Sequence, residues 1–292
     1  MDRPVALIVN PHAGGGRAGK VLPAVEAALQ RLGLAFHTER TESLEHAEAL
    51  ARAAAAAGEV AVALSGDGLI GRLAGVLAGG DGVLGVLPGG RGNDLARALG
   101  IPLDPVAACE VLAGEHIREL DLGEVDGRPF IGIASCGFNS DANRIANEAP
   151  AVLGNFVYAY GAVRALAAWH PARFELTLDD RGLAFVGDIV AVANSPFYGG
   201  GMRTARDAKL DDGLFDVVMT GRAPKRRFPL LIAKAFDGSY VDLPTVHVER
   251  AQEVRVTADR PFTMYADGDP IGDLPVTLRV RPRAVRVLVP AA

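Results

Sequence analysis

The sequence predicts an α/β N-terminal domain with a mainly parallel sheet, followed by an antiparallel β-sandwich domain with helical inserts. In the first half, short apolar runs alternate with helix-like segments, and glycine-rich loops follow three of these runs. In the second half, many short β-like runs are separated by turn signals such as Asp126-Gly127 and Asp267-Gly268. We place the boundary near residue 120, which gives domains 1–120 and 121–292, and the last strand can return to the first domain.

The first half alternates strand and helix. Its expected strands are Val5–Val9, 34–37, 60–64 and 83–88. Its expected helices run from near residue 19 to 33, from about 43 to 57, from the end of the third strand to about 77, and over 95–100. In the second half, β-like runs are expected at 119–125 (ELDLGEV), 128–138, 172–179, 184–194, 214–220, 247–258, 260–266, 276–282 and 284–289. Helical inserts among them are expected at 142–147, 156–169 and 228–235.

The composition limits the classes of protein to which this chain can belong. The 292 residues are 49% hydrophobic and 22% charged, which is typical of a compact folded chain. A net charge of -5 argues against broad nucleic-acid binding. The two cysteines, Cys109 and Cys136, are too few and too far apart for a disulfide framework or a zinc site, so a cytoplasmic location is expected. The chain shows no signal-peptide pattern and no apolar run of about 18 residues.

The stretch 60–71, VAVALSGDGLIG, joins an apolar run to the loop Ser65-Gly66-Asp67-Gly68. Glycines allow positive φ and a close approach of backbone amides to a ligand, and one carboxylate can hold a metal ion or a hydroxyl. Such a loop is by itself more often a turn. However, glycine-rich loops also occur at 10–17 and 88–94, and carboxyl ends of parallel strands lie at one edge of a sheet. Together the three loops predict a nucleotide site.

The loop after the first strand nearly matches a P-loop. Gly14, Gly19 and Lys20 have the P-loop spacing, but Val21 stands where a Ser or Thr would bind magnesium. We therefore reject the P-loop interpretation. The pattern still predicts a strand, a glycine loop and a helix N-terminus, where amides and the helix dipole can hold phosphate.

Six motifs in order carry a family resemblance. Asn10-Pro11 with the glycines after it, 65–68 and 87–94 resemble motifs of the diacylglycerol kinase catalytic-domain family, which includes bacterial lipid kinases and the sphingosine and ceramide kinases. The stretches 199–202, 211–217 and 267–269 are similar to its later motifs. The resemblance implies an NAD kinase and diacylglycerol kinase-like fold and an ATP-dependent lipid kinase of phospholipid biosynthesis. It would phosphorylate the hydroxyl of diacylglycerol or a related long-chain lipid alcohol.

The resemblance also implies site residues. Asp267 matches the aspartate assigned as catalytic base, and Asp269 stands where a Glu is usual, so either carboxylate can be the base. The residues expected near ATP are Asn10, Gly14, Thr41, Ser65, Gly66, Asp67, Gly68, Arg91 and Asn93. Mg²⁺ would bridge the phosphates, and a second Mg²⁺ would be held by Asp212 with the carbonyls of Lys209 and Leu214.

Several positions depart from the family pattern or have a simpler interpretation. Arg72 stands where the family usually has an acidic residue, and Arg91 where a Ser or Thr commonly touches the nucleotide, although a guanidinium can bind phosphate. Asp267-Gly268 and 211–213 are also good turn signals, and Asn93 can simply cap a helix.

The alternatives to a lipid kinase are a kinase of the same fold with a soluble substrate and a non-catalytic nucleotide or lipid sensor. A lipid substrate would bring the protein transiently to the inner face of the membrane. The stretch 224–231, PKRRFPLL, is the candidate peripheral contact, because a basic cluster leads into an apolar helix. A helix packed on the β-domain explains that stretch equally well. The oligomeric state, a dimer included, is left open.

Overall fold

The structure is a computed structural model that describes residues 3–148 and 157–291. Its strands are β1 (Val5–Val9), β2 (Phe36–Arg40), β3 (Val60–Ser65), β4 (Val83–Pro88), β5 (Ile117–Val125), β6 (Arg128–Phe130), β7 (Ile133–Gly137), β8 (Ala172–Leu178), β9 (Arg181–Ala193), β10 (Phe215–Gly221), β11 (Val246–Ala251), β12 (Glu253–Ala258), β13 (Thr263–Ala266), β14 (Asp269–Asp273) and β15 (Val276–Leu288). Its α-helices are α1 (Ala13–Arg31), α2 (Leu44–Ala56), α3 (Asp67–Leu77), α4 (Asp94–Ala98), α5 (Pro105–Ala113), α6 (Phe138–Glu148), α7 (Val157–Ala168) and α8 (Phe228–Asp237).

The N-terminal strands form a parallel sheet in the order β4-β3-β1-β2. Every residue of β1, β3 and β4 is buried, because helices of the same half pack on the sheet. The outer strand β2 is only partly buried. The predicted α/β arrangement with a mainly parallel sheet is confirmed, and the carboxyl ends of β1, β3 and β4 lead into the three glycine loops.

Two boundaries in this half differ from the prediction. The second strand is β2, which begins at Phe36 and includes polar residues, because an edge strand buries little of its surface. Helix α1 begins at Ala13, six residues before the expected start, but the three glycines at 14–16 have positive φ, so regular helical backbone begins at Arg17. Helix α5 was not predicted.

The C-terminal half is antiparallel and sandwich-like, as predicted. The long strand β9 pairs with β7, β8 and β10. Strand β13 pairs with β7 on one side and with β14 on the other. Its core is aromatic: Phe130 stacks on Phe215, and Phe174 stacks on Phe185. The run 247–258 divides into β11 and β12, because β11 pairs with β10 whereas β12 pairs with β8 and β15.

Strand β15 connects the antiparallel and parallel parts of the sheet. It pairs antiparallel with β12 and β5, and the register with β5 shifts between Arg281 and Val285. Near its end, Arg286 and Val287 pair in parallel with β4. The two β-like runs at 276–282 and 284–289 are therefore one strand.

The helical inserts are α6, α7 and α8. Each overlaps a predicted insert, although Phe156, where the second was expected to begin, lies outside the described residues. The side chain of Trp169, just after α7, is buried and donates from Nε1 to Asp188 Oδ1 at 2.7 Å. Within residues 3–148 and 157–291, no helix is long and apolar enough to cross a bilayer.

Candidate active site

The loop after β1 passes through three consecutive left-handed glycines. Gly14, Gly15 and Gly16 have φ of 62°, 71° and 88°. A Cβ on Gly14 would lie 2.4 Å from the carbonyl oxygen of Gly89, so the loop after β1 packs directly on the loop after β4. Glycine is required at position 14 for both its φ and this contact.

An open cleft of about 520 Å³ lies at this loop, lined by Gly14, Gly15, Arg17, Lys20 and Val21. Arg17 and Lys20 bring positive charge to the N-terminal end of α1, which suits a phosphate. Asn10 begins the loop, and its Oδ1 accepts the N–H of His12 at 3.0 Å. Thr41 follows the neighbouring strand β2. The structure therefore places both predicted nucleotide residues at the ends of adjacent strands.

Replacing Gly14 with Ala is expected to weaken nucleotide binding at least about tenfold, because the methyl group collides with the Gly89 carbonyl and the backbone must leave its left-handed conformation. The matched control is Gly16→Ala. Position 16 has the same kind of φ but nothing within 4 Å of its Cβ, so this variant isolates backbone strain. Calorimetric titration with a nucleotide compares the two variants. Equal losses of affinity would show that the contact with Gly89 is unimportant.

The loop after β3 lies against the loop after β4. Ser65 is buried, and its carbonyl accepts the N–H of Gly89 at 2.7 Å. A Cβ on Gly66 would come within 3.2 Å of Gly90 Cα. Asp67 begins α3, and its Oδ1 accepts the N–H of Leu95 in α4 at 3.1 Å. These contacts fix the Asp67 carboxylate between the two loops.

Asn93 shapes the loop after β4. It is buried, has φ of 55°, and its side chain accepts the N–H of Gly90 at 2.9 Å and donates to the Gly90 carbonyl at 3.1 Å. Asn93 is the N-cap residue of α4, as the simpler interpretation has it, but its side chain makes no cap hydrogen bond to the helix and is engaged with Gly90 instead. Arg91, in the same loop, extends to the β1 loop, where its Nη2 lies 3.7 Å from the position of a Cβ on Gly15.

Asp94 is a site residue that the sequence analysis did not single out. Its Oδ2 accepts the N–H of Gly200 at 2.9 Å, whereas Oδ1 is buried without a hydrogen-bond partner. Burial raises the pKa of the Asp94 carboxyl to about 6, and the negative charge of Asp67 acts in the same direction. The signal was present in Asn93-Asp94, but only the contact with the distant Gly200 loop distinguishes this residue from a helix start.

Asp267 lies at the tip of the β13–β14 hairpin with φ of 51°. Its Oδ2 accepts the N–H of Ile131 and its Oδ1 the N–H of Gly132, both at 2.9 Å. Burial raises the pKa of the Asp267 carboxyl to about 7, against the effect of these amides, and the nearby charge of Asp67 raises it as well. The Asp267-Gly268 turn that the sequence predicts is present, and it carries this carboxylate towards Asp67.

The second carboxylate of the hairpin, Asp269, reaches helix α3. Its Oδ2 lies 3.1 Å from where a Cβ on Gly68 would be. Burial raises the pKa of the Asp269 carboxyl, and the positive charge of Arg72 opposes that shift. Arg72 itself is paired with Glu48 of α2, with Nη1 and Oε1 3.1 Å apart. The unusual arginine thus has a carboxylate partner outside the site.

The residues predicted for a second magnesium form a separate cluster. Asp212 Oδ1 accepts the N–H of Leu214 at 3.2 Å, and its Oδ2 accepts a hydrogen bond from Arg250. The guanidinium stands where the ion would meet this carboxylate, so the set does not fit Mg²⁺ as placed. Within the described ranges, no three His, Cys, Asp or Glu side chains are grouped to hold a metal ion.

Asp121, also missed from sequence, anchors this loop. The carboxylate is fully buried and accepts the N–H groups of Gly213 at 2.6 Å and Arg283 at 2.7 Å. Nothing in ELDLGEV marks it, because its partners are distant in sequence. Asp67 and Asp94, by contrast, lie where the loops after β3 and β4 meet, and Asp267 lies on the hairpin that packs on α3, close enough for the Asp67 charge to act on it.

Two family models match nearly the whole chain. The diacylglycerol kinase catalytic domain matches residues 4–125, and the YegS C-terminal NAD kinase beta sandwich-like domain matches residues 132–289. The chain belongs to the diacylglycerol kinase family. The resemblance seen in the motifs is confirmed, and family membership makes this protein a kinase that uses a nucleotide substrate.

Relatives from bacteria align with this chain over nearly their full length. The diacylglycerol kinase of Mycobacterium tuberculosis is 32% identical over 295 residues, which are 98% of this chain and 95% of that protein. The diacylglycerol kinase of Bacillus subtilis is 29% identical over 293 residues, 97% and 95% of the two chains. A crystal structure of a diacylglycerol kinase from Bacillus anthracis strain Sterne has a TM-score of 0.75 at 18% identity, covering 99% of this chain and 97% of that chain, so the fold is shared.

Proposed function

We propose that this kinase transfers the γ-phosphoryl group of ATP to the hydroxyl of diacylglycerol or a related long-chain lipid alcohol. The observation that carries the proposal is the Asp267 carboxylate, whose pKa of about 7 and position near Asp67 suit a base at the edge where the glycine loops meet. Two relatives that align over nearly the whole chain are named diacylglycerol kinases, which supports a lipid alcohol as acceptor.

The nucleotide phosphates would lie against the glycine loops. The backbone of 14–16 and the N-terminus of α3 present amides, and Arg17 and Lys20 border the cleft. Phosphoryl transfer depends mainly on positioning and on neutralisation of the phosphate charge. These loops can supply both, because their contacts with one another fix their backbones.

The magnesium ion that accompanies ATP would be held by Asp67 and Asp94. Protein sites for this ion commonly contribute one or two carboxylates, and substrate phosphates complete the coordination. The buried Oδ1 of Asp94 has no hydrogen-bond partner, which fits a role as ligand. When bound, the ion neutralises charge on the transferring phosphoryl group.

Asp267 would receive the proton of the attacking hydroxyl. Its two amide contacts hold the carboxylate in place, and its raised pKa makes it a stronger base than an ordinary aspartate. An alcohol is far less acidic than this carboxyl, so the proton moves late, as the bond from oxygen to phosphorus forms.

Transfer of labelled γ-phosphate from ATP tests the proposal. Purified protein is incubated with ATP, Mg²⁺ and detergent micelles that contain diacylglycerol, a sphingoid base or a mixed lipid extract. A labelled product in the organic phase is expected. Label found only in soluble acceptors would favour the soluble-substrate kinase, and ATP binding without transfer to any acceptor would favour the sensor.

We also propose that this kinase docks on anionic membranes through a surface formed by α7, α8 and the turn before α8, here called the α7–α8 surface. Leu230 and Phe236 of α8 are 52% and 53% exposed, and Val163 of α7 is 69% exposed. Lys225 joins the helices, since its Nζ donates to the carbonyl of Ala167 at 2.8 Å. The exposed cations at 225–227 border this apolar surface, and this combination complements an anionic bilayer.

Charge reversal of Arg226 and Arg227 to Glu is expected to reduce binding to phosphatidylglycerol vesicles by about tenfold or more, because each cation near an anionic surface contributes about 1 kcal/mol. The matched control reverses Arg255 and Arg279, which lie on strands β12 and β15, with the same change in net charge. Sedimentation with vesicles measures binding. Equal losses in both variants would remove the α7–α8 surface as the docking site.

A further inference from the structure

The pairing of two strands places an arginine, Arg250, beside the loop at 209–214. Arg250 of β11 lies directly opposite Asp216 of β10 in the antiparallel ladder. Asp216 is 5% exposed, and it lies only two residues beyond the end of the loop. The backbone pairing alone therefore brings the base of the Arg250 side chain to this acidic loop.

The guanidinium is hydrogen-bonded to Asp212 and stands at ion-pair distance from Asp216, whose buried Oδ2 has no hydrogen-bond partner. It donates from Nη2 to Asp212 Oδ2, and its Nε lies 3.7 Å from Asp216 Oδ2. Asp216 is buried, and Arg250 is the arginine that brings positive charge to its carboxylate. A buried carboxylate is costly without a countercharge, so Arg250 fills the electrostatic role of a bound cation.

The other carboxylates around the loop also have partners within the chain. Asp211 pairs with Arg118, whose Nη2 lies 2.7 Å from Oδ2. Asp121 is satisfied by the amides of Gly213 and Arg283. In the described part of the chain, each of these carboxylates thus forms an ion pair with an arginine or accepts hydrogen bonds from backbone amides.

We propose that Arg250 takes the place of a structural divalent cation in this chain and orders the loop at 209–214 without magnesium. The guanidinium binds Asp212 and places its charge 3.7 Å from Asp216, while Asp121 accepts amides from the opposite side of the loop. The loop then needs no magnesium ion of its own to be ordered.

The loop is connected to the catalytic edge by hydrogen bonds. Asn194 is fully buried, and its Nδ2 donates hydrogen bonds to the carbonyls of Asp121 and Ile131, both at 2.9 Å. Ile131 in turn donates its N–H to Asp267. Arg250 is therefore a positioning residue, since the loop it orders is joined through Asp121 and Asn194 to the segment that orients the Asp267 carboxylate.

Thermal unfolding without nucleotide tests this proposal independently of phosphoryl transfer. We expect the Tm of the wild type to be the same within about 1 °C in EDTA and in 5 mM MgCl₂. Arg250→Gln is expected to unfold on the order of 5 °C lower in EDTA and to regain at least half of that loss in MgCl₂, because the vacated carboxylates and loop carbonyls can then bind the ion. Arg250→Lys, which keeps the charge, should be intermediate in EDTA.

Arg279→Gln is the matched control, because it removes an exposed arginine paired with Glu253 at 2.7 Å, away from the loop. It should show no magnesium-dependent stability. A wild-type Tm that rises by several degrees in MgCl₂ would overturn the proposal. An equal loss in Arg250→Gln with and without MgCl₂ would also overturn it, since a purely structural contact gives that result.

Discussion

Asp267→Asn is expected to lower kcat for phosphoryl transfer by about 10²–10⁴, because the side chain can no longer accept the hydroxyl proton. Nucleotide affinity should change little, since the glycine loops and Asp67 remain. An Asn of the same size can still accept one of the two amides from Ile131 and Gly132, so the hairpin should stay folded. Single-turnover transfer and calorimetric titration measure the two effects separately.

The pH dependence of the wild type gives the same assignment a second test. Burial and the Asp67 charge raise the pKa of Asp267 to about 7, so the carboxyl is mostly protonated at pH 6 and mostly ionised at pH 8. Only the ionised form accepts a proton. We therefore expect kcat/KM to rise with pH through about 7 and to level off above it.

Asp269→Asn is the matched control for Asp267, because it removes the other carboxylate of the same hairpin. Its activity is expected to fall less than tenfold, and the rise near pH 7 should persist. If Asp269→Asn instead abolishes transfer and Asp267→Asn does not, the base is Asp269.

Gly71→Ala is expected to lower kcat by about 10² while leaving the helix intact. A Cβ at this position in α3 would lie 2.7 Å from Oδ2 of Asp267, so the carboxylate must move away from its two amides. Alanine favours a helix interior over glycine by about 1 kcal/mol, which offsets part of the cost of the displaced hydrogen bonds, so the Tm should fall by no more than a few degrees. Kinetic assays with thermal unfolding distinguish a displaced base from a destabilised fold.

Gly75→Ala, one turn further along α3, provides the contrast. Its Cβ would lie 2.2 Å from the ring of Pro129, outside the site, so this variant should lose stability and retain kcat in the folded fraction. A kcat for Gly71→Ala within twofold of the wild type would show that Asp267 tolerates the added methyl group, and the geometry inferred for the base would then be wrong.

The sequence predicts the strands of the first half well where they are buried on both faces. The runs of β1, β3 and β4 are continuous and apolar, and each ends at a glycine loop. The sequence predicts the bounds of β2 and of the strands along 247–258 less well, because the ends of these strands depend on which neighbouring strand each one pairs with. An edge position lets β2 be polar, and two different partners divide β11 from β12.

The sequence likewise predicts some residues of the candidate site and not others. The motifs identify Asp67 and Asp267 as separate features, 200 positions apart in the chain. They do not reveal Asp94, Asp121 or Arg250, because the importance of each comes from partners far away in sequence: Gly200, Gly213 and Asp212.

The sequence by itself determined the family, the order of the elements in the first half and the loops that can hold phosphate, because these depend on local patterns of apolar residues and glycines. Only the tertiary structure shows that the Asp267 carboxyl is buried beside Asp67 and that an arginine stands beside the acidic loop. Burial and the nearby charge of Asp67 raise the pKa of Asp267, against the opposing effect of the hydrogen bond from the Ile131 amide. The pairing of β10 with β11 places Arg250 beside Asp212. Both effects arise from desolvation and charge at distances of a few ångströms, which no local pattern of residues specifies.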